Sequence, residues 1–194
     1  KGLDPETHLL PHELMRQELG EEVAVGYLTG PTCAQEVALG KPAAMVLAVE
    51  GEEEMIVATQ KSCSTESLRV YRSDDLRGVG FGSCLKNVYA IAAGIGDGLS
   101  LGDNARAALL TRGLNEMVEL GEGLGGSRET YYGLSGFGDL VATCSGEWSR
   151  NRTLGLRIGA GEDAAEIVRG QRTVVEGYGA TANFHALCQE QGLT

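Results

Sequence analysis

The sequence predicts α/β followed by all-α, and three observations carry that reading. The first third alternates short apolar runs with helix-like patches, the strand signal stops after Ser73, and beyond it the apolar residues recur at helical spacing. The division falls at residues 1–73 and 74–194, the first part reading as the end of an α/β unit and the second as a helical domain.

The elements follow in order. Leu14, Met15 and Leu19 share helical spacing over His12–Glu18, and Gly20 closes that helix. The run Val23–Leu28 reads as a buried strand, stopped by the turn Thr29-Gly-Pro-Thr32 and followed by a short helix over Cys33–Leu39. A second strand spans Ala43–Val49. Glu52, Glu53 and Glu54 then suit the positive end of a helix that runs to Ser62, and Leu68–Tyr71 is the third strand. In the helical part, Leu85, Val88, Tyr89, Ala92 and Ala93 mark a Gly/Ala-rich helix over Val79–Asp97 that packs closely on its neighbours. A longer helix runs from Asn104 to Leu124, with Asp103 or Asn104 as its cap. Shorter helices are predicted over Arg128–Tyr132, Arg150–Ile158, Asp163–Arg169 and Thr181–Gln191, the last closed by Gly192.

Composition excludes several classes. The 194 residues carry 16 Lys+Arg against 27 Asp+Glu, a net charge of −11, so nucleic acid is not an expected partner and any anion site must be a local pocket. The 42% of apolar residues suffices for a core, which argues against disorder. Five widely spaced cysteines without a C-x-x-C pair predict buried thiols in a reduced, cytoplasmic protein. No run approaches 18 apolar residues and no charged-then-apolar leader opens the chain, so neither membrane insertion nor a signal peptide is expected. With Lys1 first, the chain reads as a piece of a longer protein.

Several motifs invite a chemical reading that their context opposes. Gly121-Glu-Gly-Leu-Gly-Gly126 satisfies G-x-G-x-x-G, but it ends a helix instead of joining a strand to one, so a glycine-rich stop is expected. Gly78, Gly80 and Gly82 precede a helix without a following βαβ unit, leaving close packing or approach to a ligand. His8 and His12 are four apart, but Pro11 intervenes and no further ligand completes a set, so no metal is expected and both read as exposed loop residues. Cys188 and His185 lack an orienting third group for nucleophilic chemistry.

Four polar clusters interrupt apolar or glycine-rich surroundings: Thr29–Thr32, Lys86-Asn87, Gly136-Phe-Gly-Asp139 and Ser149-Arg-Asn-Arg152. A lysine between Leu85 and Val88 in a helix of small residues is partly desolvated, which lowers its proton affinity and suits it to acid/base work. Asp139, on a tight Gly-x-Gly turn, is the candidate to orient it. The bland alternative for Lys86 is a snorkelling surface lysine. Ser149 at a helix start, with Arg150 beside it, has the form of an anion cradle for a small phosphorylated molecule, or of an ordinary N-cap flanked by exposed arginines.

Lys1-Gly-Leu3, Gly30-Pro-Thr32, Leu85-Lys-Asn87 with Ala90-Ile-Ala-Ala-Gly94, Asn104-Ala-Arg106, Arg112-Gly-Leu114 with Glu116-Met117, Gly136-Phe-Gly-Asp-Leu140, Ser149-Arg-Asn151 and Val174-Val-Glu-Gly-Tyr178 occur together. In order and spacing this set resembles the bacterial NAD(P)-dependent glycerol-3-phosphate dehydrogenases, over nearly the whole chain. The resemblance implies the C-terminal part of a Rossmann-type nucleotide-binding domain, then a helical domain like that of 6-phosphogluconate dehydrogenase. It places the glycine fingerprint of the family before Lys1 and a final helical stretch after Thr194.

By the same resemblance, Lys86 is the catalytic lysine with Asp139 beside it, and Lys1, Gly30, Thr32, Ser149, Arg150 and Asn151 line the substrate pocket. Lys1 and Arg150 also reach the cofactor, NAD or NADP, as do Ala34, Val174 and Glu176. The implied reaction interconverts sn-glycerol 3-phosphate and dihydroxyacetone phosphate and feeds glycerophospholipid synthesis; the implied assembly is a homodimer. Two other readings are a related two-domain dehydrogenase of a hydroxy acid or sugar phosphate, and a non-catalytic helical interaction module.

Overall fold

The structure, a computed structural model, describes residues 2–192. The elements run α1 (Pro11–Leu19), β1 (Gly26–Thr29), α2 (Ala34–Ala38), β2 (Ala43–Val49), α3 (Glu53–Cys63) and β3 (Leu68–Ser73). The helical part follows with α4 (Leu76–Gly98), α5 (Gly102–Gly123), α6 (Arg128–Tyr132), a π-turn over Leu134–Gly138, α7 (Asp139–Ser145), α8 (Arg150–Gly159), α9 (Ala164–Arg169) and α10 (Glu176–Gln191). A small sheet followed by helices is the predicted class.

The sheet has the order β1-β2-β3, with β1 antiparallel and β3 parallel to β2. Thr29, the last residue of β1, stands opposite Val46, which sets the turn that follows over the middle of β2. β1 begins three residues later than predicted, because the N–H of Val23 bonds back to the carbonyl of Gly20 at 3.3 Å in the turn after α1. Pro11 opens α1, where its missing N–H costs nothing, and Gly20 ends it at φ 93°.

α4 is the axis of the molecule. Asp75 caps it, accepting the N–H of Gly78 at 2.8 Å. One side of α4 sets Leu76 and Val79 under the sheet against Val46 and Ala48. Further along, Phe81, Leu85 and Tyr89 join Met117, Val118, Tyr131, Leu140 and Phe184 in the main core. α8 lies against α4 with backbones touching. A Cβ on Gly159 would come 2.5 Å from the Ile95 carbonyl oxygen, and one on Gly98 2.9 Å from the Gly159 Cα. Glycine is thus what lets α8 settle onto α4.

Several expectations are corrected. α5 starts at Gly102 without a side-chain cap, because Gly102 at φ 82° turns the chain into the helix before Asp103 or Asn104 can serve as one. Asp139 does not sit on a tight turn: Gly136 and Gly138 belong to the π-turn, and Asp139 opens α7, an element the sequence reading lacked. α10 begins at Glu176 instead of Thr181, since the N–H of Gly177 is held by Asn151 Oδ1 at 2.8 Å. His12 is not an exposed loop residue but buried in α1, its Nδ1 2.8 Å from the Tyr27 hydroxyl; His8 is half-buried and meets Glu190. Cys33, Cys84 and Cys144 are buried as expected, whereas Cys63 and Cys188 are part-exposed. Gly121 and Gly126 end α5 around the Tyr131 ring, and a Cβ on Gly80 would lie 3.0 Å from the Tyr27 ring, so both glycine motifs serve packing. No helix among the described residues is long and apolar enough to cross a membrane.

Candidate active site

Lys86 lies midway along α4 and is 8% exposed, flanked by buried Cys84, Leu85 and Asn87. An ammonium there has lost most of its hydration, a cost repaid only by a close counter-charge. Asp139 supplies it: the carboxylate, on a residue 1% exposed, accepts from Lys86 Nζ through Oδ2. Asp139 continues directly from the preceding π-turn, its own N–H bonded back to the Leu134 carbonyl, which fixes the backbone that carries the carboxylate.

Two hydroxyls complete the surroundings of the carboxylate. Thr29 Oγ1 donates to Asp139 Oδ2 at 3.1 Å. Thr143 Oγ1, one helical turn beyond, donates to the Asp139 backbone carbonyl at 2.6 Å and lies 3.3 Å from Oδ1. The Cys144 thiol is pushed up to about 12 by burial, against the pull of the Lys86 charge, so it stays protonated and takes no nucleophilic part.

The turn after β1 reaches the same place. Gly30, at φ 150°, passes so close to β2 that a Cβ would lie 2.8 Å from the Ala44 carbonyl oxygen. The Thr32 hydroxyl donates to the Gly30 carbonyl at 3.2 Å, tightening the turn. Pro31 packs toward Gly138, whose Cβ would lie 3.5 Å from Pro31 Cγ, so the turn borders the entry to α7.

The start of α8 carries the second group of candidate residues. Ser149 is buried and caps α8, accepting the N–H of Arg152 at 3.2 Å. The N–H groups of Arg150 and Asn151 belong to the first turn, which has no intrahelical acceptors, and they carry the positive end of the helix dipole. The Arg150 side chain is 48% exposed and donates through Nη2 to Glu176 Oε1 at 2.6 Å, joining α8 to the start of α10. Asn151 turns inward instead: its amide donates to Asn87 Oδ1 at 2.9 Å and accepts from Gly177 N–H. A Cβ on Gly177 would lie 2.6 Å from the Asn87 carbonyl oxygen, so only glycine fits.

These bonds connect the two groups. Asn87 follows Lys86 on α4 and bonds to Asn151, which follows Arg150 on α8, so the two helix segments that carry these cations are tied to each other. The structure pairs Lys86 with Asp139, sets the Gly30–Thr32 turn beside the entry to α7, and joins Asn151 and Arg150 of α8 to Asn87 and Glu176. Ala34, first in α2, and Val174, just before α10, are exposed and make none of these bonds. Lys1 lies outside the described residues. Sequence reasoning assigned no role to Thr29, Thr143 or Asn87. Thr143 becomes legible once α7 is drawn, as the hydroxyl four residues beyond Asp139, and Asn87 and Thr29 lay inside clusters already singled out.

Chemically, the arrangement offers a cation in a water-poor site beside a fixed carboxylate, suited to exchanging a proton with a substrate oxygen and stabilising its negative charge. The start of α8, tied to α4 through Asn151 and Asn87, carries a planar guanidinium, a group suited to phosphate oxygens. Arg150 and the α8 N–H groups would also fit a phosphate of a nucleotide cofactor. No cluster of three metal-ligating side chains occurs among the described residues.

Comparison with known proteins gives a consistent result. A family model described as NAD-dependent glycerol-3-phosphate dehydrogenase C-terminus matches residues 75–194, and the corresponding N-terminus model matches residues 1–55. The glycerol-3-phosphate dehydrogenase (NAD(P)+) of Herminiimonas arsenicoxydans is 45% identical over 100% of this chain and 58% of its own length. That of Cupriavidus necator is 49% identical over 91% of this chain and 54% of its own length. A crystal structure of glycerol-3-phosphate dehydrogenase from Coxiella burnetii superposes with a TM-score of 0.93 at 42% identity, covering 100% of this chain and 59% of that one. The chain thus spans less than three-fifths of the length of these relatives.

Proposed function

Because the chain belongs to the NAD-dependent glycerol-3-phosphate dehydrogenase family, we propose that it carries the acid/base and phosphate-binding half of an oxidoreductase interconverting sn-glycerol 3-phosphate and dihydroxyacetone phosphate. NAD or NADP, when bound, supplies or accepts the hydride. Lys86 donates a proton to the oxygen of the ketone as it becomes an alcohol and takes it back in the opposite direction. Asp139 keeps the lysine charged and aimed, and the excluded water makes the cation count for more than it would in solution. Arg150 and the first N–H groups of α8 hold the substrate phosphate, so that binding energy remote from the reacting carbon orients it. Gly30 and Thr32, in the turn beside the entry to α7, and Lys1, Ala34, Val174 and Glu176 are assigned to the substrate or nucleotide by family resemblance.

The observation that supports this reading is the buried Lys86–Asp139 pair, on a helix that Asn87 ties to the start of α8 through Asn151. A division near residue 73, a homodimer, a cytoplasmic location and a role in supplying phospholipid backbones belong to the same proposal. The test is Lys86→Ala in the complete protein. Turnover falls by at least about a hundredfold while nucleotide binding, measured by calorimetry, is kept; turnover equal to the parent removes the role. A substrate panel separates this reading from other dehydrogenases: the proposal expects turnover of dihydroxyacetone phosphate and not of unphosphorylated hydroxy acids.

A further inference from the structure

We infer that Thr29 is a positioning residue for this reaction: its hydroxyl holds the Asp139 carboxylate in the orientation that steadies the Lys86 ammonium. The inference rests on the proposed role of Lys86 and adds to it a residue from the other part of the chain.

Thr29 is 0% exposed and ends β1. Its main chain has little freedom, paired with Val46 on β2 and followed by Gly30, which is pressed against the Ala44 carbonyl. The side chain is β-branched and therefore stiff at χ1. From that fixed base Oγ1 reaches Asp139 Oδ2 at 3.1 Å, the oxygen that also accepts from Lys86.

Thr143 does not duplicate this contact. A hydroxyl has one proton to give, and the backbone carbonyl at 2.6 Å is a far better acceptor than Oδ1 at 3.3 Å. The terminal torsion of an aspartate is broad and roughly two-fold. The second donor on Oδ2 thus narrows the orientations open to the carboxylate. The bond also joins residues 110 apart in sequence, carrying the placement of the sheet directly to the ion pair.

The experiment compares Thr29→Val, which keeps the branched shape and loses the hydroxyl, with Thr29→Ser, which keeps the hydroxyl. Both are made in the complete protein, beside Lys86→Ala. The inference expects kcat of Thr29→Val to fall about ten- to a hundredfold, as for loss of one hydrogen bond to a charged group. The KM for dihydroxyacetone phosphate stays within about twofold, and Thr29→Ser returns kcat to within about threefold of the parent. Parent-like kcat in Thr29→Val, a change confined to KM, or a loss that serine does not restore overturns it. Should Thr29→Val unfold, Thr29→Ala is read by the same criteria, and failure of both to fold assigns Thr29 to stability and overturns the inference. Loss of turnover in Lys86→Ala with none in Thr29→Val sinks this inference alone, whereas parent-like turnover in Lys86→Ala sinks the reading beneath it.

Discussion

Lys86 shares α4 with residues that are almost all apolar or small, and its charge is tolerated only because Asp139 faces it. Truncating one partner of such a pair costs more than the pair contributes, since the remaining charge is stranded in a poor solvent. Asp139→Asn keeps the shape and removes the charge, so the folded state loses about 3 kcal/mol in urea unfolding and turnover falls at least about a hundredfold. An unfolding free energy and turnover equal to the parent would show that the pair is incidental. Of the pair, Lys86 was legible from its apolar neighbours and Asp139 from its glycine-rich surroundings, but Thr29 was not. Its partner lies 110 positions away, and nothing in Thr29-Gly-Pro-Thr32 distinguishes a buried hydroxyl from a turn residue.

At the level of elements, the site depends on α8 being held against α4, because Arg150 and Lys86 lie on different helices. Close-packed glycines set the separation, and one carboxylate locks it. Asp97, near the end of α4, accepts from Arg152 Nε of α8 at 2.7 Å and from Arg106 Nη2 of α5 at 2.5 Å. Burial pushes the Asp97 carboxyl up, and the two guanidiniums outweigh it, holding the group below its ordinary value of 3.8. A carboxyl depressed in the folded state adds stability above its unfolded value, and that stability is lost as pH falls through the folded one. Asp97→Asn therefore lowers the unfolding free energy by about 2 kcal/mol at neutral pH, and the gap to the parent narrows below about pH 4. A gap of the same size at every pH would contradict the assignment. Helical periodicity predicted α4 and α8 closely. It missed the π-turn and α7, because Gly133, Gly136 and Gly138 disguise a stretch whose conformation is fixed by packing against Tyr131 and Pro31.

Across the whole molecule, the sheet and the helical part meet at the ion pair. The class of fold was readable from the change in hydrophobic period near residue 73. The convergence of Thr29, Lys86 and Asp139 was not readable from the same patterns, since periodicity assigns faces to elements and says nothing of which faces meet. Family resemblance supplied the missing link for Lys86, Asp139 and Arg150, and the coordinates supplied it for Thr29. The most direct test is a crystal structure of the complete protein with dihydroxyacetone phosphate and nucleotide bound. The account predicts the substrate phosphate on the α8 N–H groups and Arg150, with the ketone oxygen about 3 Å from Lys86 Nζ. A phosphate seated away from α8, or a ketone oxygen out of reach of Lys86, would contradict it.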